Sequence, residues 1–183
     1  MQSFREHVLT LLPKGGTGAE IGVWQGDFSS RILEVAVPKH LHLIDPFEAR
    51  KEPEYAGAWY GPESRTEMAA VRDGVVRRFA ENMAKGQVTL HVARSGDVMP
   101  GFAPGSLDFV YIDGDHTYPS VRQDLAQSFR ACRSGALICL DDYALRGWWK
   151  DGVVRATHEF LGEHAQACQI VLCHAGQLVI GKR

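Results

Sequence analysis

Residues 18–26 read Gly-Ala-Glu-Ile-Gly-Val-Trp-Gln-Gly. The first part of this stretch, residues 18–23, has the composition of a short buried strand, and it runs directly into a glycine-spaced turn. Glycines at that place allow a tight reversal and a close approach of backbone to a ligand. A helix is expected to follow over residues 28–35. The spacing from Gly22 to Gly26 is G-x-x-x-G. A pyrophosphate needs the tighter G-x-G-x-x-G loop to reach a helix N-terminus. A nicotinamide oxidoreductase is therefore the least favoured class for this turn.

Working outward, the same strand–turn–helix unit recurs along the chain. A second strand over residues 40–45 ends in Leu43-Ile44-Asp45, and a third over 88–93 leads into Arg94-Ser95-Gly96-Asp97. A fourth over 107–113 is nearly all apolar, as a strand buried on both faces requires. A fifth spans 136–141. Helical spacing marks residues 2–12, with Phe4, Val8, Leu11 and Leu12 on one side. It also marks Met68, Val71, Val75, Phe79 and Met83, behind a capping box of Ser64 and Glu67. Pro119 suits a first helical turn, which Val121, Leu125 and Phe129 continue, and another helix is expected over 153–164. The last two strands, 167–173 and 178–181, lie too close together for a helical crossover and should form an antiparallel hairpin. The expectation is an α/β, doubly wound, Rossmann-like sheet of seven strands in one domain over residues 1–183.

Length and composition agree with that class. The 183 residues suffice for one domain with a sizeable core. The net charge of −2, from 20 basic and 22 acidic residues, advertises neither nucleic acid nor an anionic membrane. Cys132, Cys139, Cys168 and Cys173 form no CxxC pair and point to a reducing compartment. The N-terminal stretch is too polar for a signal peptide, and no apolar run approaches bilayer-spanning length. A soluble, cytoplasmic protein is expected.

Carboxylates at the strand ends carry the chemistry. In a doubly wound sheet, ligands bind beyond the carboxyl ends of the strands. Asp45, 19 residues after Gly26, can accept hydrogen bonds from ribose hydroxyls. Strand four ends in Tyr111-Ile-Asp113-Gly-Asp115-His116, and strand five in Cys139-Leu-Asp141-Asp142-Tyr143. If those strands are neighbours, Asp113, Asp141 and Asp142 converge, and they would repel one another unless a cation neutralised them. An all-oxygen cluster suits a hard ion such as Mg²⁺.

The E-x-G-x-x-x-G turn, the IDGDH segment and the Asp-Asp pair 28 residues after Asp113 resemble the class I S-adenosylmethionine-dependent methyltransferases. Within them, the chain is similar to the metal-dependent macrocin and novobiocin type of O-methyltransferase. The resemblance implies that Glu20, Gly22, Gly26, Asp45, Ser95 and Asp113 line the cofactor. Glu20 and the glycines would sit under its amino acid part, and Ser95 beside the adenine. It implies that Asp113, Asp141 and Asp142 hold a divalent metal, and that a residue two or three positions after Asp113 is the general base. Asp115 and His116 both qualify; His116 is preferred because histidine titrates near neutrality.

The expected activity is methylation of a hydroxyl on a small molecule, a sugar or natural product. Residues 46–63, with Phe47, Tyr55, Trp59 and Tyr60, form a long loop at the ligand edge, as a lid would. Trp148 and Trp149 are candidates for the acceptor wall. A core this small would borrow walls from a second subunit, so a homodimer is expected. Three other readings stay open: metal-independent methyl transfer to another atom, a related hydroxylase needing an electron donor, and a cofactor-binding subunit without turnover.

Overall fold

A computed structural model describes residues 4–183. Its strands are β1 (Thr17–Ile21), β2 (His40–Ile44), β3 (Val88–His91), β4 (Leu107–Ile112), β5 (Cys132–Leu140), β6 (Cys168–His174) and β7 (Gln177–Lys182). They form one sheet of order β3-β2-β1-β4-β5-β7-β6. The first five run parallel, and β7 is antiparallel to both β5 and β6. The seven-stranded doubly wound sheet and its closing hairpin are those expected, with β7 inserted between β5 and β6.

Side chains alternate across the sheet with period two. On β4, Phe109 and Tyr111 pack with Val8, Leu9 and Leu12 and with Ile32, Val75 and Phe79. Those residues belong to or flank α1 (Phe4–Leu11), α2 (Asp27–Val35) and α3 (Met68–Arg78). Val110 and Ile112 pack on the other face with Leu125 of α6 (Tyr118–Ala131) and Phe160 of α7 (Gly152–Glu163). Helices thus cover both faces, and the sheet core is apolar on both sides.

Several local expectations change. Residues 2 and 3 of the first expected helix lie outside the described residues. Ser64 and Glu67 form no capping box: α3 starts after Glu67 without a side-chain cap. The Ser64 hydroxyl instead donates to the Trp59 carbonyl and accepts the N–H of Thr66. The single helix expected through Met83 is two, α3 and α4 (Ala80–Ala84), parted at Phe79, whose φ of −105° is not helical. β5 begins four residues early, at Cys132, where its register against β4 shifts between Leu107 and Phe109.

The order of strands reverses between β1 and β4, where a doubly wound sheet opens its ligand crevice. Gly22 shows how tightly the two turns pass there. Its φ is +88°, and a Cβ on it would stand 2.0 Å from the carbonyl oxygen of Asp113.

Candidate active site

Backbone hydrogen bonds carry the ladder past the last strand residues. Gly22 N donates to Ile44 O at 2.9 Å, Asp113 N to Ile21 O at 2.8 Å and Asp141 N to Ile112 O at 3.0 Å. The register that pairs Ile112 with Leu140 therefore sets Asp113 beside Asp141. A cavity of about 830 Å³ lies over this edge. Glu20, Asp45 and Ser95 line one end, and His116, Asp141 and Asp142 the other. That size falls in the range of small-molecule sites. Trp24, Phe47 and Asp142, which follow β1, β2 and β5, all have φ between 49° and 55°. Such strain in non-glycine residues gathers where a surrounding structure enforces it, commonly at ligand sites.

At the β1–β2 end, Glu20 is buried. One oxygen accepts the hydroxyl of Ser29 from α2, and the other, Oε1, has no hydrogen-bond partner among the described residues. Burial pushes the carboxyl up to about 8, only partly offset by Ser29. Gly26, with φ 78°, opens α2 and lies against the Phe79 ring, where a Cβ would come within 2.7 Å. Asp45 is committed to backbone: its Oδ2 accepts Val23 N at 2.9 Å and Trp24 N at 3.0 Å, and its Oδ1 accepts Phe47 N at 2.7 Å. A carboxylate offers about four lone-pair sites, so roughly one stays open to a ligand rather than the two that both ribose hydroxyls would take. Ser95 starts the short helix α5 (Ser95–Val98) and faces Asp124 of α6.

At the β4–β5 end, the sequence-expected carboxylates do meet, and a cation does sit among them, but it is Arg5 of α1. Its Nη2 donates to Asp113 and its Nε lies 3.1 Å from Asp141 Oδ2. Nε also donates to the Tyr111 hydroxyl at 3.1 Å, and the guanidinium lies 4.2 Å over the Phe28 ring. The Tyr111 hydroxyl donates on to Gln177 Oε1 at 2.9 Å, and Gln177 Nε2 donates to Asp141. These contacts close a ring through Arg5, Tyr111, Gln177 and Asp141. Burial opposes the Arg5 charge, yet Asp113, Tyr111 and Asp141 together raise its pKa above the ordinary value. Burial and the neighbouring Asp113 push Asp141 up to about 6, against the pull of Arg5.

His116 fills the other side of the cluster. Its Nδ1 lies 3.4 Å from Asp142 Oδ2 and its Nε2 3.5 Å from Asp113 Oδ1. Among the described residues Nε2 is buried with no hydrogen-bond partner, and the Trp149 ring stands edge-on at 4.9 Å. Burial works to lower the imidazole pKa, but Asp113, Asp142 and Asp141 outweigh it and the net shift is upward. Asp115, the other candidate base, is occupied. It accepts the Tyr55 hydroxyl at 2.7 Å and, as an Asx turn, Thr117 N at 3.0 Å.

The expected divalent metal does not fit this arrangement. The donor chemistry suits a hard cation, but Arg5 bridges Asp113 and Asp141 and the imidazole faces Asp142. Among the described residues, no group of three or more His, Cys, Asp or Glu side chains could hold a metal ion. The sequence carried a signal for Arg5: positions 5, 8, 9 and 12 share one helical stripe, so a charged residue occupies an apolar face. Tyr111 and Gln177 gave none, because both read as ordinary strand residues.

The loop over the cavity is tied down from both ends. The Arg50 guanidinium lies 4.2 Å over the Tyr55 ring, Tyr55 packs on Trp148 at 5.0 Å, and Trp59 meets Trp24 at 5.4 Å. Beside the cavity, the Tyr60 hydroxyl and the Trp149 Nε1 are buried without hydrogen-bond partners among the described residues. Among the described residues, no helix is long and apolar enough to cross a membrane.

The sequence model of a methyltransferase-domain family matches residues 19–143. No curated protein matches the chain. Among solved structures, the O-methyltransferase TomG from Streptomyces achromogenes, in complex with SAM, is similar at 19% identity and TM-score 0.66, covering 100% of this chain and 82% of that one. The O-methyltransferase NovP is similar at 19% identity and TM-score 0.67, covering 98% and 78%. A Streptococcus mutans protein solved with SAH is similar at 10% identity and TM-score 0.68, covering 100% and 99%. At these identities the likeness is one of fold.

Proposed function

This chain belongs to the methyltransferase-domain family and is a class I S-adenosylmethionine-dependent methyltransferase; from that premise we propose that it methylates a hydroxyl oxygen on a small molecule, with His116 as the general base. One observation carries the reading. A single cavity joins the Glu20–Asp45 end to the buried His116 imidazole, whose Nδ1 faces Asp142 and whose Nε2, facing Asp113, has no hydrogen-bond partner among the described residues.

The cofactor end follows from unmet bonding capacity. Glu20 Oε1 offers an acceptor for the ammonium of the methionine part, and an ammonium there would pair with an oxygen that has no hydrogen-bond partner among the described residues. Asp45 accepts one ribose hydroxyl with the lone pair its backbone contacts leave free. Ser95, which lines the same cavity, would border the adenine. When bound, S-adenosylmethionine would supply an electrophilic methyl carbon on a sulfonium, with the neutral thioether as leaving group.

The acceptor end follows from charge. A hydroxyl is a poor nucleophile until its proton has somewhere to go. His116 Nε2 takes that proton as the oxygen forms its bond to the methyl carbon and the carbon–sulfur bond breaks. The resulting imidazolium is held by Asp113 and Asp142. Trp148, Trp149 and Tyr60 shape an apolar wall with polar tips, which suits a flat acceptor and keeps water away. Alignment of oxygen with carbon at about 3–3.5 Å contributes much of the remaining acceleration. No step passes through a metal.

The test is transfer of a ¹³C-labelled methyl to a panel of phenolic and sugar acceptors. An ether-type O–CH₃ carbon resonance, lost in His116→Gln, supports the reading. An N–CH₃ or S–CH₃ product would overturn it.

A further inference from the structure

We propose that Arg5 is the resident cation of the Asp113–Asp141–Asp142 cluster, a tethered guanidinium standing where a divalent metal would otherwise be bound. The converging carboxylates need positive charge, since like charges at this spacing disfavour one another. The chain provides it from α1. Arg5 is seated rather than merely nearby. Asp113 accepts from Nη2, the Nε–H goes to the Tyr111 hydroxyl, Asp141 Oδ2 forms an ion pair 3.1 Å from Nε, and the Phe28 ring lies beneath the guanidinium.

The seat is itself supported. Tyr111 is fully buried on β4, and Gln177 at the start of β7 links its hydroxyl to the far oxygen of Asp141. A planar guanidinium matches such a set of oxygens better than an ammonium does, and its charge does not titrate in the physiological range. α1 is anchored by Val8, Leu9 and Leu12 in the core, which fixes where Arg5 reaches. A metal and Arg5 compete for the same oxygens of Asp113 and Asp141, so both cannot be held there together.

The consequence for the reaction rests on the methyltransferase reading; the competition itself does not. With Arg5 in place, Asp113 and Asp141 are partly neutralised and fixed. Asp113 then keeps its other oxygen toward His116. Arg5 is in this sense a positioning residue for the base.

Manganese binding, read by the electron paramagnetic signal of free Mn²⁺ at mildly alkaline pH, tests the competition without any turnover. Arg5→Ala and Arg5→Gln should bind Mn²⁺ about tenfold or more tighter than wild type. Adding Asp141→Asn should remove that gain. Arg5→Lys retains a tethered cation and should bind as weakly as wild type. Far-ultraviolet circular dichroism checks that each variant is folded, and Arg5→Gln keeps part of the apolar stem should Arg5→Ala not fold. Equal Mn²⁺ affinity in wild type, Arg5→Gln and Arg5→Ala, whether weak or tight, would overturn the proposal. Calorimetric binding of S-adenosylmethionine on the same samples separates failure of this proposal from failure of the methyltransferase reading.

Discussion

Asp45 holds Val23: its Oδ2 accepts the Val23 backbone N–H at 2.9 Å, tying the end of β2 to the turn after β1. The same oxygen accepts Trp24 N, and Oδ1 accepts Phe47 N. One side chain thus shapes the cofactor turn and, in the proposed function, also contacts the ribose. Asp45→Ala should weaken S-adenosylmethionine binding by about tenfold or more, since charge-assisted hydrogen bonds to backbone contribute roughly 1–3 kcal/mol each. Isothermal titration reads the loss. Unchanged affinity would show that Asp45 serves the turn only.

Gly22 has no room for a side chain. A Cβ would lie 2.0 Å from the Asp113 carbonyl oxygen, and φ is already +88°. Gly22→Ala should destabilise the fold by about 3 kcal/mol or more, combining backbone strain with steric displacement of the β4 turn. Urea unfolding should show a lower midpoint at an unchanged slope. A wild-type midpoint would mean that the two turns can part freely.

His116→Gln should retain S-adenosylmethionine affinity and lose turnover by about 10²–10⁴-fold, the usual contribution of a general base. Wild-type turnover should rise with pH as the imidazole loses its proton. The midpoint should lie above the ordinary histidine value of about 6.5, because the surrounding carboxylates outweigh burial. Asp115→Ala should instead raise the acceptor KM more than it lowers kcat, since Asp115 anchors Tyr55 of the loop. The reverse assignment of these two phenotypes would make Asp115 the base.

Asp124 should make the protein less stable as pH rises. Burial moves its carboxyl from an ordinary value near 3.8 to about 7, with Ser95 offsetting part of the effect and Asp115 adding to it. The folded state therefore holds this proton more tightly than the unfolded state. The associated stability is present below about pH 4 and is lost as pH climbs through about 7. Asp124→Asn should remove roughly 1–3 kcal/mol of that loss. Urea unfolding at about pH 5 and about pH 8 measures it; parallel pH dependence in the two proteins would contradict it.

The strand ends were legible in the sequence because the sheet announces itself by period and position. Apolar runs of four to six residues ending in Glu, Asp or Gly mark both the strands and the edge where ligands bind. Glu20, Asp45, Asp113, Asp141 and Asp142 all line one cavity at those strand ends. The need for a cation among the carboxylates was legible too, since repulsion is a local argument. Its source was not. Arg5 lies more than a hundred residues from Asp113 in the chain, and only the packing of α1 brings them together. The capping box at Ser64 failed because the segment before α3 keeps its own turn bonds. The break at Phe79 likewise reflects tertiary packing, its ring being buried against Gly26.

Titrating S-adenosylmethionine into the wild-type protein by calorimetry, once with Mg²⁺ and once with EDTA, asks whether the β1–β2 edge holds the cofactor without a metal. One-site binding in the micromolar range, the same in both solutions, is expected if Glu20, Asp45 and the β1 turn hold the cofactor while Arg5 supplies the cation. Absence of binding in both solutions would mean that Glu20 and Asp45 do not form a site for S-adenosylmethionine.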